Sequence, residues 1–145
     1  MDLNLREKII TEARSWIGTK FRYQGRVKKN QYNNGGVDCL GLIVCVLDNV
    51  GFKYDGRQLS FYDDVCYSKQ PDFDLLKLRF SKYFKEKCAD DIIYGDIMLK
   101  KVSKTQYHIM IYTGSSFIHA SAITRSVVEH SVDSFDDCMI YSIYR

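Results

Sequence analysis

Cys39 stands in the run GGVDCLG, after a stretch rich in glycine and polar residues and directly before the apolar run LGLIVCVLDNV. A cysteine that opens a buried helix meets unpaired backbone N–H groups and the positive end of the helix dipole. Both favour the thiolate, which is the nucleophilic form. Asp38 pulls the other way, because a neighbouring negative charge raises a thiol pKa unless the carboxylate is turned to cap the helix; it is assigned that capping role. His108 begins the strand-like run HIMIY and His119 lies in SFIHAS. If the intervening TGSS is a hairpin turn, His119 sits opposite Met110 and diagonal to His108 on the same face, so the two imidazoles fall in line. A register slip of one residue would separate them. A cysteine, a base and a second polar ring that orients the base make the nucleophile, base and orienter arrangement of covalent catalysis. His130, beside Glu129, reads as a solvated strand residue, and Asp96 in the turn YGD as a binder of backbone amides. Cysteine most often packs as a small apolar group, so it is the combination of residues, and not Cys39 alone, that points to chemistry.

These residues need elements to position them. Residues 3 to 17 have Leu5, Ile9, Ala13, Trp16 and Ile17 at near-helical spacing, with Arg6, Glu7, Glu12 and Arg14 on the other face, which predicts an amphipathic helix stopped by Gly18. Thr19 to Gly36 reads as one irregular, partly basic loop of a length that is usually functional. The segment VDCLGLIVCVLDNVG is apolar nearly all round and predicts a buried helix, with Asp38 as its N-cap and Gly51 as its stop. No element is evident from Phe52 to Tyr67. Pro71 opens a second amphipathic helix over roughly 72 to 86, and DIMLK, YHIMIY, SFIHAS, SVVEH and MIYSIYR then predict an antiparallel meander. Helices followed by strands make an α+β fold with the helices packed on one side of the sheet. Residues 1 to 145 are expected to form one domain.

Composition narrows the function classes. Twenty-one basic against eighteen acidic residues give a formal charge of +3, too slight for nucleic-acid binding without a basic patch. The one cluster, Arg22, Arg26, Lys28 and Lys29, reads as a solvated loop. No apolar run approaches the ~20 residues of a membrane span, and the charged start MDLNLREKII argues against a signal peptide, so synthesis in the cytoplasm is expected. Five cysteines, at 39, 45, 66, 88 and 138, contain no CxxC pair and have no zinc-ligand spacing against the three histidines. Reduced thiols and neither metal nor cofactor are expected. Cys45 lies about 240° round the helix from Cys39, towards the core, and is not expected to act as a resolving thiol.

The order WIGTKFRYQG, GVDCLGLIVCVLDNVG, YGDIMLKK and YHIMIYTGSSFIHAS resembles the NlpC/P60 papain-like peptidases, whose usual forms are GTPYRYGG, DCSGLV, GDLVFF and HVGIYxGxxxFIHAS. The likeness runs from about residue 8 to the C-terminus. It implies a papain-like fold, Cys39 as nucleophile, His108 as general base, His119 as the orienting third residue, and a peptidoglycan stem peptide as substrate. Phe21, Tyr23 and Asp38 are implied to border the substrate. The family tyrosine of GTPY falls on Phe21, and Tyr23, two positions on, is its candidate replacement. Leu40 in DCLG, SVVEH and the ending YSIYR look like the phage-tail and gene-transfer-agent branch, which implies tail proteins as partners and carriage to the cell wall in a particle. Two other uses of the site are a tail component without turnover and an acyltransferase that resolves the thioester with an amine.

Overall fold

The computed structural model describes residues 3–63, 73–103, 106–131 and 134–144. Helix α1 (Leu3–Ser15) ends two residues short of the predicted limit, and the chain turns at Gly18, whose φ of 92° favours a residue without a Cβ. The predicted loop of 19–36 carries structure: β1 (Arg26–Val27) pairs antiparallel with β2 (Gly36–Val37), and Phe21 bridges to Val37. Close approach of two backbones makes this pairing, and a Cβ on Gly25 would lie 2.4 Å from the Gly36 carbonyl oxygen. Helix α2 (Cys39–Asn49) follows, as predicted.

Strands β3 (Lys53–Tyr54) and β4 (Arg57–Gln58) form a tight hairpin where no element was predicted. Asp55 and Gly56 both take positive φ, the turn that an Asp-Gly pair favours. Leu59–Tyr62 is a short 3₁₀ turn. Helix α3 (Phe73–Tyr83) is the second predicted amphipathic helix but stops about three residues short of the predicted limit, while Pro71 and Cys66 lie outside the described residues. Then come β5 (Lys85–Lys87), β6 (Ile97–Lys101), β7 (Tyr107–Tyr112), β8 (Phe117–Ser121), β9 (Ser126–His130) and β10 (Cys138–Ser142). The sheet runs β5-β10-β6-β7-β8-β9, antiparallel throughout. Strands β6 to β9 form the predicted meander, but β10 returns between β5 and β6, and β5 was not foreseen.

Alternation along the strands sends Ile97, Leu99, Ile109, Ile111, Ile118 and Val127 into one core with Leu42, Ile43, Val46 and Leu47 of α2. Met98, Met110, Phe117 and Ile140 make a smaller cluster of their own. This is an α+β fold in which α2, carrying Cys39 at its head, is anchored by its whole apolar surface. No described helix is long and apolar enough to cross a membrane.

A buried ion cluster ties α1 to the sheet. Asp96, fully buried, accepts from Arg6 Nη1 at 2.7 Å, from Lys87 Nζ at 2.8 Å and from the Ile93 N–H at 2.9 Å. The sequence reading foresaw the amide contact only, because Arg6 lies 90 residues away. Asp96→Ala leaves Arg6 buried without its counter-charge and is expected to lower stability by about 3–5 kcal/mol, measured by denaturant unfolding. A loss below about 1 kcal/mol would mean that water reaches Arg6 in the native fold.

Candidate active site

Residues 22–25 and the first turn of α2 lock together around Asp38. Its backbone is extended (φ −101°), and its Oδ1 accepts from the Gly41 N–H at 2.8 Å and from Arg26 Nη1 at 3.1 Å. Oδ2 accepts from the Gln24 N–H at 2.8 Å. Asp38 therefore caps the helix as predicted, is buried, and holds the preceding loop against it. Arg26 also grips Asp63 through two bonds of 2.7 and 3.1 Å. It is a structural cation and not part of a solvated loop. The glycine of DCLG is required by contact, since a Cβ on Gly41 would lie 2.5 Å from the Gly25 carbonyl oxygen.

Cys39 is half-buried at the head of α2. Burial and the Asp38 charge push its thiol up to about 12, against the opposing pull of the Leu40 and Cys39 N–H groups and of Arg26. The helix N-terminus works in the predicted direction, but desolvation is the larger effect. The resting group is the thiol, contrary to the thiolate that the helix position favours. Cys45, also half-buried, directs its sulfur to the Arg26 carbonyl at 3.8 Å.

Tyr107 belongs to the same neighbourhood. Burial, followed by the charges of Cys39, Asp38 and Tyr23, holds its hydroxyl well above the usual tyrosine range. Four side chains, Tyr23, Asp38, Cys39 and Tyr107, are thus within electrostatic reach at one end of the sheet. Phe21 packs against the core. Tyr23 accordingly brings a hydroxyl to the region where Phe21 has none.

A second group begins one residue on from Tyr107. The rings of His108 and His119 stand edge to face with centroids 5.0 Å apart. The hairpin register that aligns them is the one predicted, with Ile111 opposite Ile118 and Tyr112 opposite Phe117, closed by a turn in which Gly114 has φ 102°. Burial, then the neighbouring His130 and Lys100, lowers the His108 pKa; burial, then His108 and His130, pushes His119 down to about 3. His130 is exposed, as predicted, yet its Nε2 lies 2.5 Å from His119 Nε2, which makes it the third member of a row and not a free surface residue. Sequence reasoning missed Tyr107, Arg26 and this role of His130. Only the equal spacing of histidines 108, 119 and 130 hinted at the last.

An α+β fold with a cysteine at the head of a buried helix, and a histidine pair on the sheet against which that helix packs, is of the papain-like type. Residues 18–137 match the model of the NlpC/P60 family, and the chain belongs to that family. Among solved structures, the NlpC/p60 domain of the peptidoglycan hydrolase SagA is similar at 22% identity and TM-score 0.62, over 94% of this chain and 97% of that one. The P60 domain of antigen MAP1204 from M. avium subspecies paratuberculosis is similar at 17% identity and TM-score 0.65, over 99% and 97%. RipD from Mycobacterium tuberculosis, a non-catalytic NlpC/p60 domain protein adapted to peptidoglycan binding, is similar at 15% identity and TM-score 0.61, over 95% and 96%. No curated protein matches the chain in sequence.

Proposed function

We propose that this NlpC/P60 chain is a cysteine peptidase that hydrolyses the D-γ-glutamyl to diaminopimelate amide of peptidoglycan stem peptides. The observation that carries the reading is Cys39 at the head of a buried helix, where the Leu40 and Cys39 N–H groups pull its thiol towards the thiolate. In the reaction, Cys39 Sγ attacks the carbonyl carbon as its proton passes to neutral His108. The amine leaves with that proton, and a thioester remains. Water, deprotonated by His108, then attacks the thioester carbon, and the thiol returns with its proton. The Cys39 N–H is the natural donor to the oxyanion. Arg26 supports the step by offsetting the Asp38 charge beside the nucleophile.

A second reading, peptidoglycan binding without turnover, is favoured by the raised Cys39 thiol and by Phe21 in place of the family tyrosine. Mass analysis of peptides released from purified sacculi separates the two. The peptidase reading expects fragments with new diaminopimelate amino ends from wild type and none from Cys39→Ala. Sacculi that retain the protein yet release nothing would establish the binding reading instead. Release of fragments bearing an added amine would point to acyl transfer. The narrower likeness to the phage-tail branch adds delivery inside a particle to this reading. Recovery of the protein with sedimented particles would support it, and recovery only in the soluble fraction would remove it.

A further inference from the structure

With His130 neutral, two hydrogen bonds at the end of β9 set which nitrogen of His119 carries a proton. His130 Nδ1 lies 2.7 Å from the Ser131 carbonyl oxygen. A carbonyl only accepts, so Nδ1 is the protonated nitrogen, and Nε2 of a neutral His130 is a bare acceptor. His119 Nε2 lies 2.5 Å from that Nε2. Two lone pairs cannot share a hydrogen bond, so His119 donates through Nε2–H and keeps a lone pair on Nδ1. This Nδ1 is buried and has no hydrogen-bond partner among the described residues. The rings of His108 and His119 stand edge to face, with centroids 5.0 Å apart.

We propose that His130 is a positioning residue of the active site: by accepting the His119 Nε2–H, it holds His119 in the tautomer whose free Nδ1 can accept an N–H from His108. The row then donates in one direction, from His108 to His119, from His119 to His130, and from His130 to the Ser131 carbonyl. When His108 takes up the Cys39 proton, its second N–H meets an oriented acceptor in a water-poor site. Without the acceptor at position 130, His119 is free to carry its proton on Nδ1, where it would oppose the His108 N–H. Burial of His119 keeps that ring neutral across the working pH range, so it stays an acceptor. The kinetic consequence rests on the peptidase reading; the tautomer does not.

The test uses the full chain, a soluble stem tetrapeptide containing the D-γ-glutamyl to diaminopimelate amide, and ¹⁵N spectra of the imidazole rings. Wild-type His119 is expected to show a protonated Nε2 and a bare Nδ1. His130→Leu removes the acceptor from an exposed position and is expected to lower kcat about 10–100-fold, the scale of loss when the partner that orients a metal-bound imidazole is removed, with KM nearly unchanged. Its His119 signals should move towards a mixture of tautomers. His130→Gln restores an acceptor oxygen and is expected to recover most of kcat and the wild-type nitrogen pattern. Unaltered His119 signals in His130→Leu, or equal losses of kcat in the leucine and glutamine variants, would overturn the proposal. A wild-type protein that binds the tetrapeptide without cleaving it would defeat the peptidase reading, while the nitrogen spectra would still decide the role of His130.

Discussion

Cys39→Ser is expected to reduce hydrolysis of the stem peptide by more than about a thousandfold, and His108→Ala by a comparable factor, with melting temperatures little changed. Both residues are half-buried, Cys39 at the head of α2 and His108 near the start of β7, so the loss should lie in the chemical step and not in folding. The state of the thiol decides how the step proceeds. Held up to about 12, Cys39 carries far less thiolate at neutral pH than an ordinary thiol near ~8.5. With the thiol favoured at rest, the proton leaves as the sulfur attacks, which gives neutral His108 its function. Iodoacetamide at pH 7 is accordingly expected to label the exposed Cys88 well before Cys39 in the free protein. Peptide mapping by mass spectrometry reads the order directly. If Cys39 were alkylated first, and if His108→Ala slowed that reaction, the thiolate favoured by the helix position would be the resting form after all.

What could be read in the sequence follows from how local each signal is. The α2 cap needed only Asp38, Cys39 and Gly41, all within one turn, and its geometry agrees. The pairing of His108 with His119 needed only a four-residue turn and the two-residue period of the flanking strands, and the predicted register is the one found. Interactions between distant residues were hidden. Arg26 looked like one of several loop cations, because nothing in its neighbourhood announces that it bridges Asp38 and Asp63. Tyr107 was one of eleven tyrosines, and its place beside the cysteine follows from packing of α2 on β7. The ionisation of Cys39 was misjudged for the same reason: the helix N-terminus is a local feature, but desolvation depends on everything that packs around the sulfur. The β3–β4 hairpin is a different case: its two-residue strands carry no alternation to read, and only the Asp55-Gly56 turn marks it locally.

Lowering the pH from 7 to 5 is expected to destabilise the wild-type protein through His119. In the unfolded chain this ring titrates near ~6.5, whereas burial and the neighbouring histidines hold it down to about 3 in the fold. Between those values the unfolded state binds the extra proton, so stability contributed by the neutral ring is complete above ~6.5 and is lost as pH falls towards 3. At pH 5 the loss is about 2 kcal/mol, or roughly 4–8 °C in melting temperature for a chain of this size. His108, also lowered, adds in the same direction. The raised thiols of Cys39 and Cys45 act only at the alkaline end: their contribution is intact below ~8.5 and is lost as pH rises towards their folded values. His119→Asn keeps a polar side chain that can accept from His108 but cannot titrate in this range. Each protein is compared with its own stability at pH 7, so any constant effect of the substitution cancels. The asparagine variant should then lose about 2 kcal/mol less than wild type between pH 7 and pH 5. Parallel melting curves for the two proteins over that interval would show that His119 accepts a proton in the folded state, and the neutral histidine row on which the mechanism depends would have to be abandoned.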